Sequence, residues 1–107
     1  MLSKQIIKSR QAVKVTFAAP KLELPEGMEI NSMHLVGDFN DWNETANPFR
    51  YNKKAQAYRA TVELEPDRQY QFRYLINGEH WCNDWAADGY TPNDFGEDNA
   101  VILTPAL

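Results

Sequence analysis

The chain has 107 residues, 43% of them hydrophobic and 24% charged, which suits one globular domain with a single core. Its formal net charge is −4 and it carries no basic run, which argues against a nucleic-acid or membrane-surface partner. Cys82 is the only cysteine, so neither an internal disulfide nor a multi-cysteine metal site can form.

In chain order, the opening MLSKQIIKSRQ lacks the apolar segment of a signal peptide. Lys4, Lys8 and Arg10 read as a solvated face. No apolar run approaches the ~18 residues of a membrane helix, and a cytoplasmic protein is expected. Val13, Val15 and Phe17 alternate with Lys14 and Thr16, the period of a half-buried strand. Leu24-Pro25-Glu26-Gly27 reads as a turn. The apolar run Met33–Val36 then leads into GDFNDW, residues 37–42. A turn explains the small and polar members of that stretch, but not Phe39 and Trp42.

After a turn at Tyr51-Asn52-Lys53-Lys54, Tyr58, Ala60, Val62 and Leu64 alternate with Arg59, Thr61 and Glu63. Leu64-Glu65-Pro66-Asp67 turns the chain again. Tyr70, Phe72, Tyr74 and Ile76 alternate with Gln71, Arg73 and Leu75, and Asn77-Gly78 is the strongest hairpin signal. Only Trp85-Ala86-Ala87-Asp88 suggests a helical turn, and Val101 with Leu103 closes the pattern. Six or seven short strands in about 100 residues predict an all-β antiparallel sandwich, with a small barrel as the alternative. One domain spans 1–107, with its core at about 13–104.

Catalysis needs a constellation, and none stands out. Glycoside hydrolysis needs two carboxylates facing each other across a cleft, and no pair among the 15 acids is marked. Cys82 has His80 two residues away, a spacing that shares a strand face, but a bystander thiol is the simpler reading. Asp84, Asp88, Asp94 and Asp98 offer oxygen ligands without the spacing of a calcium loop. No enzyme activity, metal or cofactor is expected.

The rings remain. Trp42, Trp81 and Trp85 lie in loops or at strand ends. Each could cap the core, or present an indole on which the C–H face of a sugar packs. Asn40, Asp41 and Asn43 flank Trp42; Glu79, His80 and Asn83 flank Trp81. Alternation also points Arg73 away from a core built on Phe72, Tyr74 and Ile76, sharing an exposed face with Asn77. The plain alternative for Arg73 is a surface ion pair with a neighbour such as Glu63.

LVGDFNDW, QFRYLINGEHW and FGEDNAVI together resemble carbohydrate-binding module family 48. That family includes the N-terminal early-set domain of isoamylase and branching enzymes, and the glycogen-binding domain of the AMP-activated kinase β subunit. The resemblance runs from Met33 to Leu103 and more loosely back to Val13. It implies an immunoglobulin-like, early-set antiparallel β-sandwich of about seven strands. It also implies α-1,4-glucan or maltooligosaccharide binding. Trp42 and Trp81 match the stacking platforms, Arg73 the basic hydrogen-bonding residue, and Phe95 and Asn99 the apolar and amide contacts before the last strand. Two departures matter. Gly78-Glu79-His80-Trp81 has one residue more than the kinase-subunit version, which could move Trp81 to the other face. Trp85 stands where the family often has proline, so it could replace or supplement Trp81.

No catalytic barrel is expected after Leu107, so a free-standing copy either binds glucan itself or docks on a separate glucan-metabolising enzyme. The alternative function is a protein-interaction or self-associating sandwich whose tryptophans sit in an interface, with a free edge strand as a route to a homodimer. The discriminating feature is whether Trp42, Arg73 and Trp81 line one uncovered face.

Overall fold

The structure, a computed structural model, describes residues 2–107. Its strands are β1 (Leu2–Ile7), β2 (Ala12–Pro20), β3 (Met33–Gly37), β4 (Asn47–Pro48), β5 (Arg50–Asn52), β6 (Ala57–Leu64), β7 (Gln69–Ile76), β8 (His80–Cys82), β9 (Gly89–Pro92) and β10 (Asp98–Leu103). They form two antiparallel sheets, in the orders β1-β2-β6-β5 and β4-β3-β7-β10-β9, with β8 paired to the second half of β7. The described residues contain no α-helix, only three short 3₁₀ turns. Trp85–Asp88 is a turn held by Ala86 N–H donating to Asp84 Oδ1.

The two sheets pack face to face as an immunoglobulin-like early-set sandwich. Period-two alternation builds the core from both sides. Val13, Val15 and Phe17 of β2 and Ala60 and Leu64 of β6 meet Leu35 of β3, Phe72, Tyr74 and Ile76 of β7, and Ala100 and Ile102 of β10. Phe17 and Phe72 meet edge to face at 5.0 Å between ring centres, a favoured geometry across a sheet interface. Burying such side chains contributes about 1.5–3 kcal/mol each.

More strands form than the expected seven. The additions are edge or short elements: β1 is mostly exposed, with a polar centre, and β4, β5, β8 and β9 have two to four residues each. Backbone pairing, not an alternating apolar face, defines them. β1 also ties the sheets together, because Lys4 reaches Asp88 before β9 at 2.6 Å.

The Asn77-Gly78 hairpin forms as predicted. Both residues have positive φ, 55° and 72°, and Glu79 N–H donates to the Ile76 carbonyl at 3.1 Å. Asn and Gly tolerate this left-handed backbone, as a hairpin turn requires. Across it Ile76 faces His80, Leu75 faces Trp81 and Tyr74 faces Cys82.

Candidate functional site

GDFNDW is a closed loop in which each residue has a task. Gly37 ends β3 against β7, so close that a Cβ would lie 2.6 Å from the Gln71 carbonyl oxygen. Phe39 turns inward, its ring 5.8 Å from Phe17 and 6.0 Å from Tyr70, and packs against the core. Asn40 is a staple. Its Oδ1 accepts from Gly37 N–H, and its Nδ2 donates to the Leu35 carbonyl and to Asn47 Oδ1. Asp41 and Trp42 follow with φ of 56° and 57°. Residues with a Cβ occupy that region at a cost of about 1–2 kcal/mol each. The strain is held by Trp42 N–H donating to the Gly37 carbonyl at 2.9 Å.

The result is a half-buried Trp42 at the rim of an open trough of about 830 Å³ over the outer face of the second sheet. Its floor comes from β7 and β10. Gln71, Arg73 and Asn99 line it, with Trp81 of β8 and the β9–β10 loop around Phe95 forming further walls. Phe95 is 88% exposed at the tip of that loop. The loop is shaped by Asn93, whose Oδ1 accepts from the backbone N–H groups of Phe95 and Glu97.

Arg73 departs from its expected exposure: only 8% of it is accessible. It points outward as alternation requires, but the trough walls cover it. Nε donates to Asn83 Oδ1 at 3.1 Å, Nη1 donates to Glu97 Oε1 at 3.0 Å, and the guanidinium carbon lies 5.9 Å from the centre of the Trp81 ring. Glu63 instead pairs with Arg10. Buried cations need such partners, and a guanidinium against an indole adds a cation–π attraction of about 1 kcal/mol. Asn99 Nδ2 donates to Gln71 Oε1 and its Oδ1 accepts from Asn93, so an amide chain runs along the trough.

The trough therefore gathers Trp42, Arg73, Trp81, Phe95 and Asn99, but not Asn77 or Trp85. Asn77 is a structural clamp. Its Oδ1 accepts from the Asn31 and Ser32 N–H groups, and its Nδ2 donates to the Glu29 carbonyl. The expectation that it shares Arg73's face fails because the strand ends at Ile76 and the chain turns at Asn77. Trp85, 38% exposed, packs its ring 6.2 Å from that of Tyr74, outside the trough. Trp81 keeps the trough face because it pairs with Leu75, two residues on from Arg73. The extra residue of this hairpin is taken up in the turn.

Sequence reasoning missed Asp38 and Gln71. Asp38 accepts from Trp42 Nε1–H at 2.9 Å through one oxygen and from Gln71 N–H at 2.7 Å through the other. The signals were present: Gln71 alternates with Arg73 on one strand, and Asp38 precedes Trp42 by four residues in a tight loop.

Reactive groups are quiet. Burial raises the Cys82 thiol to about 11, an upward push from Asp84 adding to it and Arg73 only partly opposing it. Such a thiol is not a ready nucleophile. No cluster of three or more potential metal-ligating side chains occurs among the described residues. Asp84 is buried and accepts from the Tyr74 hydroxyl, while Asp88 accepts from Lys4 and Leu103 N–H.

A sandwich that places two indoles, a buried guanidinium and an amide chain around one open trough has the form of a sugar-binding module. The chain matches the family Carbohydrate-binding module 48 (Isoamylase N-terminal domain) over residues 31–91, more than half its length, and belongs to that family. The matched segment contains Trp42, Arg73 and Trp81; Phe95 and Asn99 lie beyond it. No curated protein matches the chain.

Proposed function

We propose that the trough binds a linear α-1,4-glucan, as glycogen, starch or a maltooligosaccharide, and performs no reaction on it. The observation that carries this reading is the convergence of Trp42, Trp81, Arg73 and Asn99 on one uncovered trough. Sugar hydroxyls need donors with capacity to spare. A guanidinium has five N–H donors, of which two are committed here, to Asn83 and Glu97. The Asn99 amide likewise keeps a second hydrogen and a second lone pair. Trp42 and Trp81 would stack successive glucose units, and Phe95 would add an apolar contact.

Stacking contributes about 1 kcal/mol per ring in an open site, so affinity should be weak, roughly 0.1–1 mM for a heptasaccharide. The family's second name, isoamylase N-terminal domain, supports a role in holding a glucan-metabolising enzyme on its polymer. Titration with maltoheptaose, followed by tryptophan fluorescence, tests the reading. Trp42→Ala should weaken binding about fivefold, and a cellulose fragment of equal length should bind less well. No binding of maltoheptaose or glycogen at millimolar sugar would refute it. Loss of self-association in Trp42→Ala would then favour a protein interface in the same trough.

A further inference from the structure

The loop that presents Trp42 runs through two consecutive left-handed residues, Asp41 and Trp42. Its backbone is closed by the bonds from Trp42 N–H to the Gly37 carbonyl and from Gly37 N–H to Asn40 Oδ1. Neither bond touches the indole. An indole at a trough rim can turn about two side-chain torsions, and a platform that turns loses binding energy each time it must be ordered.

The ring is held by Asp38. Its Oδ1 accepts from Trp42 Nε1–H at 2.9 Å. Its Oδ2 accepts from the backbone N–H of Gln71 at 2.7 Å. Gln71 belongs to β7, two residues before Arg73, and lines the trough. One carboxylate thus spans from the ring to the strand that carries the buried guanidinium. Both bonds have an ionised acceptor, which makes them shorter and stronger than neutral ones. The carboxylate has two oxygens and uses one for each donor, so an amide in its place could serve only one of them.

We propose that Asp38 is a positioning residue that sets the angle of the Trp42 ring relative to Arg73. It orders the platform before ligand arrives and does not itself need to touch ligand. The proposal depends on the glucan reading for what stacks on the ring, but not for the anchoring of the ring.

Two measurements test it. The first needs no ligand. In ¹⁵N-labelled protein the Trp42 indole N–H is identified as the signal lost in Trp42→Phe. In Asp38→Ala that proton should exchange with water about tenfold faster, as expected for loss of one charge-assisted bond, while the Trp81 and Trp85 signals stay put. The second is a double-mutant cycle on maltoheptaose affinity. Asp38→Ala should weaken binding about three- to fivefold with Trp42 present, but less than twofold in Trp42→Phe, whose ring has no N–H to hold. A purely structural role through Gln71 would give the same loss in both backgrounds, and that result overturns the proposal. So does an indole proton whose exchange ignores Asp38. If Asp38→Ala does not fold, Asp38→Ser, whose hydroxyl is one bond too short to bridge the two donors, takes its place in both measurements with the same criteria. If the wild-type chain binds no maltoheptaose, the glucan reading falls, while the exchange experiment still decides the role of Asp38.

Discussion

Gly37→Ala is the smallest substitution that should do large damage. The backbone of Gly37 is extended, with φ of −173°, so alanine incurs no conformational strain there. The cost is steric. A Cβ would sit 2.6 Å from the Gln71 carbonyl oxygen, 2.8 Å from Phe72 Cβ and 3.0 Å from Phe39 Cζ. Ordinary contacts of this kind begin near 3.4 Å, so the two nearest overlaps exceed half an ångström. The Phe39 ring can swing aside. The other two atoms cannot, because they belong to β7, clamped between β3 on one side and β10 and β8 on the other. Overpacking of a rigid site costs about 1–3 kcal/mol, and this case should fall at the upper end. For a domain of this size about 3 kcal/mol lowers Tm by roughly 12–24 °C. Urea unfolding followed by circular dichroism should show a lower midpoint with an unchanged slope. Adding Phe39→Leu should not restore stability, since the ring is not the main obstacle. A loss under about 1 kcal/mol, or rescue by Phe39→Leu, would refute this reasoning.

Asn77→Ala should destabilise by about 2–3 kcal/mol, from three lost hydrogen bonds and a Cβ without Asn's tolerance of the left-handed region. Asn77→Gly should recover only the backbone part, and maltoheptaose affinity should stay within twofold in both. Tyr74 is held well above the usual tyrosine range, first by burial and then by Asp84. Its unfolded form ionises near pH 10 while the folded form keeps its proton. This contribution to stability is therefore complete below about pH 10 and declines as pH rises beyond it. Denaturation between pH 8 and 11 should show that decline on top of an earlier one from the raised Cys82 thiol, and Tyr74→Phe should remove only the part above about pH 10 while costing about 2 kcal/mol at neutral pH. Asp38, Glu44, Asp94 and Glu97 line the trough, and Arg73, its one cation among the described residues, is already paired with Glu97. A phosphorylated maltooligosaccharide should therefore bind several-fold more weakly than the neutral one. Titrations at rising salt should narrow that gap, because the Debye length shrinks to about 3 Å at 1 M.

The core was legible because its side chains announce themselves by period. β2, β6 and β7 alternate, and their apolar sets became the two inner faces of the sandwich. The edge strands were not legible because nothing in a polar segment such as SKQI marks its pairing; β1 exists through six backbone partners on β2. Arg73 shows the same limit within one strand. Alternation assigned it the outer face, correctly, but could not say what covers that face. Trp81, Asn83 and Glu97 come from segments 8 to 24 residues downstream, and their arrival makes an outward residue a buried one.

The fates of Asn77 and Trp81 turn on parity, which is local to a strand and does not pass through a turn. Asn77 follows Ile76 in sequence but has left the sheet, so extending the alternation of β7 to it put a clamp into the site. The hairpin poses the same problem in reverse. One residue added to β8 would have sent Trp81 to the core side and Cys82 to the trough. One residue added to the turn changes neither. The pairing of Ile76 with His80 puts the extra residue in the turn, and the indole follows Leu75 and Arg73 to the outer face. Loop length can be counted in a sequence, but the choice between those two outcomes is made by packing. Cys82 is the small side chain that fits against the core opposite Tyr74, and an indole at that place would have to displace it.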